Sequence, residues 1–219
     1  SNNLDLKYFL EKMKKKKKIS FFKNYHKYLS ISDRKRLELT RTYFLNKNIV
    51  LIDRDGTLNK KLPGKRYLTN ASEISLNFRL VNIIKKFKNI EYICITNQAG
   101  VATKDLSQKN LLKINTKLKK MLKRKGIKIK KYYVNTDHFK SNSFERKPNP
   151  GLFLKASERY KFLLDKTIYI GDDKRDIIAS YNASTKCFFL GEKKPKIKEN
   201  KCIIKNSLYE YLKTKNNKK

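Results

Sequence analysis

Acidic residues are scarce in this chain. Only 19 Asp and Glu stand against 55 Lys and Arg in 219 residues, a formal charge of +36. Cysteine is scarcer still. Cys94, Cys187 and Cys202 are far apart and form no CxxC pair, which leaves no disulfide framework and fits a reducing, cytoplasmic setting. Cys94 and Cys187 lie inside apolar runs, where cysteine packs as a small hydrophobe. No apolar run approaches the roughly 18 to 20 residues that a bilayer span requires, so no membrane partner is expected. Lysines near the start have no apolar core behind them, against the pattern of a secretory signal. The chain opens Ser-Asn-Asn without Met, as expected of a trimmed chain or a piece of a longer one. Global disorder is excluded by a 39% hydrophobic and 11% aromatic composition.

What is abundant is lysine. A basic excess of this size suits nucleic acid. Here it is spread over every predicted helix and travels with Asn, Ile, Tyr and Phe, residues of A/T-rich codons, so genome composition alone can produce it. The charge therefore favours an anionic ligand, with nucleic acid an option that the sequence does not prefer. The block Lys14–Lys18 reads as a solvated run.

Residues 4–18 predict a short helix. Ser30–Leu45 predicts a second, with Ser32 as N-cap and Leu37, Thr40, Phe44 and Leu45 as its apolar stripe. Residues 1–46 thus read as a short helical, basic N-terminal extension or linker. From residue 47 to 219 the pattern is different. Apolar runs at 48–53, 91–96, 131–135, 167–171 and 186–191 alternate with helical stretches at 78–88, 105–125, 151–161, 173–182 and 206–214. Strands apolar on both faces, alternating with helices, predict a parallel sheet covered on both sides, a three-layer α/β/α Rossmann-like domain.

Ligands of such sheets bind at the carboxyl ends of the strands. The polar residues collected there are Asp53 and Asp55, then Thr96, Asn97 and Gln98, then Asp137 and His138, then Asp172 and Asp173, with "ERKPNPG" (Glu145–Gly151) in a long loop. Asp53, Asp55 and Asp172 together need a counter-charge. A hard, hydrated cation, Mg²⁺, suits an all-carboxylate set, and the lack of sulfur argues against zinc. Arg146 and Lys147 supply cations, Thr96 a hydroxyl, and the "TNQAG" turn backbone N–H groups for phosphate. This is the equipment of phosphoryl transfer. One carboxylate can act as nucleophile and a second, two residues on, as acid and base.

In order, "DRDGT", "TNQAG", "RKPNPG" and "GDDKRD" resemble the haloacid dehalogenase superfamily of phosphohydrolases. Within it they resemble the branch of heptose 1,7-bisphosphate and histidinol-phosphate phosphatases, over roughly Asn48 to Leu190. The resemblance implies a Mg²⁺-dependent phosphomonoesterase without a large cap, working through an aspartyl-phosphate. It implies Asp53 as nucleophile and metal ligand, and Asp55 as general acid/base and, through its main-chain carbonyl, a further ligand. Thr96 and Lys147 would bind phosphate, Asp172 would anchor the metal, and Asp176 would support the metal shell. Arg54, Asn97, Gln98 and Arg146 would meet the substrate. That substrate would be a small phosphorylated metabolite, first a heptose (bis)phosphate of nucleotide-sugar and lipopolysaccharide precursor synthesis. Histidinol phosphate and a polynucleotide 3′-phosphate are the alternatives, and a retired, non-catalytic basic interaction module is the reading from another class.

Two departures stand out. The branch usually carries a zinc loop of three Cys and one His. Here "VNTDHFKSNSFERKPNPG" keeps His138 but has Ser143 and Glu145 near the last two cysteine places, so the zinc site is expected to be lost. Asp173 stands where the branch often has Lys. Finally, "ISDRKRLELTRTYF" is similar to a linker that joins a sugar-phosphate nucleotidyltransferase to such a phosphatase, which implies association or fusion with one.

Overall fold

The computed structural model describes residues 5–16, 31–45, 48–64, 67–191, 195–204 and 207–216. His26 and residues 17 and 18 of the lysine block lie outside the described residues. The chain divides into two units, 1–40 and 41–219, so the division falls inside the second helix. In the first unit, α1 (Leu6–Lys15) starts where the Asp5 carboxylate accepts the Lys7 N–H at 2.9 Å, and lysines fill its last turn, where they face the negative helix end. The second helix, α2, runs Arg34–Leu45. Its cap is Asp33 and not Ser32. The Asp33 carboxylate accepts the Arg36 N–H at 2.8 Å, whereas the Ser32 hydroxyl accepts from the Arg36 guanidinium. Either residue can cap. The carboxylate has the added attraction of the positive helix end.

The second unit is one five-stranded sheet. Its strands are β1 (Ile49–Ile52), β2 (Glu91–Asn97), β3 (Lys128–Asn135), β4 (Ile168–Gly171) and β5 (Lys186–Phe189), in the order β3-β2-β1-β4-β5, all parallel. Between and after them lie α3 (Phe78–Ile84), α4 (Gln108–Arg124), α5 (Gly151–Tyr160), α6 (Lys174–Asn182) and α7 (Leu208–Asn216). The alternation of strand side chains divides the core into two. Val50 and Ile52 of β1 join Leu111, Ile114, Leu118 and Leu122 of α4 and Leu80, Val81 and Ile84 of α3 on one face, with Leu208 and Leu212 of α7. Ile49 and Leu51 join Leu152, Phe153 and Ala156 of α5 and Ala179 of α6 on the other. Two buried layers of helix on a doubly apolar sheet are what the sequence pattern requires. The α4 leucine and isoleucine positions recur at three- and four-residue spacing, so one stripe of a lysine-rich helix carries all its core contacts.

Between β1 and α3 the described residues hold only a short 3₁₀ turn, Ala71–Glu73, and isolated bridges at Asp55, Asn59 and Leu76. Among the described residues no cap domain is inserted there. The carboxyl ends of β1, β2 and β4, neighbours in the sheet, are left open on one edge.

Candidate active site

The edge takes its shape from backbone bonds. β1 stops at Ile52, and the Asp53 N–H donates to Ile170 of β4 at 2.8 Å, which fixes the first acid at the strand tip. The chain then turns back on itself. The N–H groups of Leu58 and Asn59 both reach the Arg54 carbonyl. Gly56 takes φ +87° in this turn, and a Cβ there would lie 2.2 Å from Asp172 Oδ2. Only glycine allows both the turn and the close approach of Asp172. On β4, Gly171 ends the strand and Asp172 and Asp173 follow. The N–H groups of both acids donate to Asp176 Oδ2, at 3.1 and 3.0 Å, so the first turn of α6 holds them in place.

A cleft of about 190 Å³ opens on this edge. It is lined by Asp53, Asp55, Lys61, Tyr67, Thr96, Asn97, Phe139, Arg146, Lys147, Asp172, Asp173, Arg175 and Asp176. At its floor Lys147 Nζ donates to Asp53 Oδ1, Asp176 Oδ1 and Tyr169 Oη, each at 2.7 Å. The Tyr169 hydroxyl donates in turn to the Ile95 carbonyl at 3.0 Å and accepts from Lys147, so all three ammonium hydrogens are used. Asn97 locks the lysine from behind. Its amide donates to the Lys147 carbonyl at 2.9 Å and its oxygen accepts the Lys147 N–H at 3.1 Å.

The electrostatics follow from that floor. Burial opposes the Lys147 charge, but Asp176 and Asp53 outweigh it and hold its pKa above the ordinary value. One ammonium serves two carboxylates. Burial therefore pushes Asp53 up to about 7, against the pull of Lys147 and with Asp176 adding to the rise. Asp172 is also raised, chiefly by burial. It accepts from the Thr57 hydroxyl at 3.3 Å and from Lys61. Carboxylate oxygens of Asp53, Asp172 and Asp176 all lie within 4.8 Å of one another. These are hard oxygen donors in negative excess, and they fit a divalent cation of the Mg²⁺ kind.

Asp55 is held differently. Arg54 Nε and Nη2 reach its two oxygens at 3.1 and 2.8 Å, Gln98 Nε2 reaches one at 2.7 Å and Asn59 Nδ2 the other at 3.0 Å. Burial raises its pKa, but the Arg54 charge and these donors win, and the net shift is downward.

The sequence-predicted residues thus fall into two groups. Asp53, Asp55, Thr96, Asn97, Arg146, Lys147 and Asp172 share the cleft wall. Arg54 and Gln98, expected against the substrate, are fully buried beneath it. Arg54 is anchored at its far end by Asn115 of α4 at 2.9 Å, and Gln98 also donates to the Thr96 hydroxyl at 3.0 Å. Both brace Asp55. The sequence reading missed Lys61, Tyr67, Phe139 and Arg175 on the wall and Tyr169 below it. Tyr169 looks like strand core, and no spacing rule separates Lys61 from its neighbours. The loop after β3 closes without sulfur. Asn135 bonds Asp137 at 2.7 Å and Ser143 at 3.3 Å, Asn149 bonds the Ser143 carbonyl at 2.9 Å, and His138 stacks on Phe139 with ring centroids 4.2 Å apart.

The profile of the family described as polynucleotide kinase 3 phosphatase matches residues 48–213. The chain belongs to that family. Its fold and motifs are of the haloacid dehalogenase type, and the relatives it matches are named phosphatases. A D-glycero-alpha-D-manno-heptose-1,7-bisphosphate 7-phosphatase of Photorhabdus laumondii is 28% identical over 174 residues, 74% of this chain and 92% of that one. A D-glycero-beta-D-manno-heptose-1,7-bisphosphate 7-phosphatase of Helicobacter pylori is 27% identical, over 75% of this chain and 88% of that one. The crystal structure of a D,D-heptose 1,7-bisphosphate phosphatase from B. bronchiseptica, complexed with magnesium and phosphate, superposes with a TM-score of 0.60. It is 22% identical and covers 64% of this chain and 79% of its own. Among the described residues no helix is long and apolar enough to cross a membrane.

Proposed function

We infer that the chain is a Mg²⁺-dependent phosphatase of a heptose bisphosphate or closely related sugar phosphate, working through an aspartyl-phosphate on Asp53. The observation that carries this is the cluster of Asp53, Asp172 and Asp176 around Lys147, set beside the relatives' names. Asp53, Asp172 and Asp176 would hold the cation, with the Asp55 carbonyl as a further ligand. A cation bound there would offset phosphate charge and favour the ionised form of Asp53.

The chain's own residues supply the rest. Lys147 fixes one oxygen of Asp53, leaving the other to attack phosphorus. The bond from phosphorus to the leaving alkoxide breaks as Asp55 gives that oxygen a proton. Water then attacks the aspartyl-phosphate, Asp55 takes back a proton, and the bond to Asp53 breaks to release phosphate. The four donors on Asp55 favour its carboxylate, the form needed in the second step. The first step requires them to loosen. Thr96 and Arg146, on the wall, offer donors to the phosphate oxygens.

A second reading is favoured by the family description itself and by the charge of +36: a 3′-phosphorylated polynucleotide end. A phosphate-release screen separates the two. Heptose bisphosphate, histidinol phosphate and a 3′-phosphorylated oligonucleotide are compared with and without Mg²⁺, and the sugar bisphosphate is expected to give the highest kcat/KM. Asp53→Asn should abolish turnover and keep the fold. Full turnover in that variant overturns the mechanism. Residues 1–46 as a linker toward a sugar-phosphate nucleotidyltransferase, and a cytoplasmic setting, belong to the same proposal. The former rests on the likeness of the segment around α2, the latter on the three unpaired cysteines.

A further inference from the structure

The cleft holds a cation whose position the phosphatase reading does not use. Lys61 lies eight residues beyond Asp53, in the loop that follows the β1 turn, and its Nζ pairs with Asp172 Oδ2. The Lys61 side chain is 54% exposed and the Asp172 side chain 13%, so the ammonium approaches from the solvent side of the acidic cluster. The other cations on the wall are committed elsewhere. Lys147 is buried under three bonds, the Arg175 guanidinium grips both oxygens of Asp173 at 2.9 and 3.0 Å, and Arg146 reaches the Asp137 carbonyl. Among these four, Lys61 alone combines contact with the cluster and an exposed stem.

Both oxygens of Asp172 are engaged, each by one donor. Oδ1 accepts from Thr57 and Oδ2 from Lys61. A divalent cation that takes this carboxylate must share or take over one of them, and a dication and an ammonium at one carboxylate repel each other. A lysine is well suited to yield, being a point charge on a flexible stem that gives up one contact and finds another. Once off Asp172, its Nζ remains at the wall of the same cleft.

We propose that Lys61 is a built-in counter-ion of Asp172 that competes with the divalent cation and, once displaced, turns to the anionic substrate. Cation binding then converts a residue that opposes it into one that recruits phosphate. This rests on the reading that Asp53, Asp172 and Asp176 hold a divalent cation.

The test uses the whole chain and Mn²⁺ as probe, with affinity read by calorimetry or by the spin-resonance signal of free Mn²⁺. Lys61→Met is compared with Lys60→Met, which removes the same charge from an exposed neighbour that does not line the cleft. Lys61→Met should bind Mn²⁺ about three- to fivefold tighter than wild type, the upper part of the range of an exposed ion pair. Lys60→Met should change it by less than about twofold at 0.15 M salt, where the screening length is about 8 Å. With Mn²⁺ saturating, inorganic phosphate should bind Lys61→Met several-fold more weakly than wild type. Mn²⁺ affinity in Lys61→Met no higher than in Lys60→Met overturns the competition, and unchanged phosphate affinity overturns the hand-over. If wild type binds Mn²⁺ while Lys61→Met is unaltered, this inference alone falls. If neither protein binds Mn²⁺, the cation reading falls with it.

Discussion

Replacing Lys147 with methionine removes one charge from the centre of the site and leaves most of the side-chain stem in place. The ammonium it removes bridges two carboxylates at 2.7 Å each, in a pocket where Lys147, Asp53 and Asp176 are at most 6% exposed. Breaking a buried pair by deleting one partner costs about 3–5 kcal/mol, because the remaining charge is uncompensated. That cost should depend on pH, with a sign that the geometry dictates. Asp53 already sits near 7 with Lys147 present, because burial outweighs the pull of the lysine. Without the lysine it rises further. A carboxyl whose folded pKa lies above its unfolded value binds a proton in the folded state that it lacks when unfolded. Stability then falls as pH rises through the interval between the two values, by about 1.4 kcal/mol per pH unit per proton. At pH 5 Asp53 holds its proton with or without the lysine, so Lys147→Met should lose only about 1–2 kcal/mol, the worth of the lost hydrogen bonds. At pH 8 it should lose about 3–5 kcal/mol. Urea unfolding followed by circular dichroism, at both pH values with a chelator present, measures both. Equal destabilisation at pH 5 and pH 8, or less than about 1 kcal/mol at pH 8, would refute the argument that Lys147 neutralises this floor.

Other consequences can be measured alongside. Gly56→Ala puts a Cβ 2.2 Å from Asp172 Oδ2 in a backbone at φ +87°, so it should cost about 1–2 kcal/mol in thermal unfolding and should also displace Asp172 and remove activity. Cation binding should expel the proton that burial keeps on Asp53. Calorimetry in two buffers should show about one proton released per Mg²⁺ at pH 6 and close to none at pH 8.5, and a pH-independent value would remove Asp53 from the ligand set. Arg54→Lys keeps the charge but cannot span both Asp55 oxygens and Asn115 together. It should lower kcat by about tenfold or more and leave KM within about twofold, whereas a matching rise in KM would return Arg54 to the substrate.

How much of this was legible in the sequence turns on which residues were rare. Five of the 19 acids, Asp53, Asp55, Asp172, Asp173 and Asp176, line one cleft. In a chain so poor in acid, their places at strand ends stood out before any geometry was known. The five strands were legible for a similar reason. Runs such as Ile49–Ile52 and Ile168–Gly171 are buried on both faces, and a stretch of lysine-rich sequence cannot imitate them. Abundance hid the rest. Lys61 sits beside Lys60 among dozens of other basic residues, and what distinguishes it is the backbone turn at Gly56, which brings the loop back over Asp172. The family resemblance implies a substrate contact for Arg54, which "DRDGT" sets between two site acids. In a strand-end turn, however, the residue between two site-facing positions points the other way, into the space between β1 and α4, where Asn115 receives it. Tyr169 was hidden by the opposite effect. It is apolar enough to read as core, and it packs there against Phe153 at 4.8 Å, yet its hydroxyl completes the coordination of Lys147. The positions that a sequence leaves ambiguous are those whose role depends on one atom at the end of a side chain that otherwise does ordinary packing or solvation. Here these are the Lys61 ammonium, the Arg54 guanidinium and the Tyr169 hydroxyl, and each bears on the charge or orientation of an acid that the sequence had already marked.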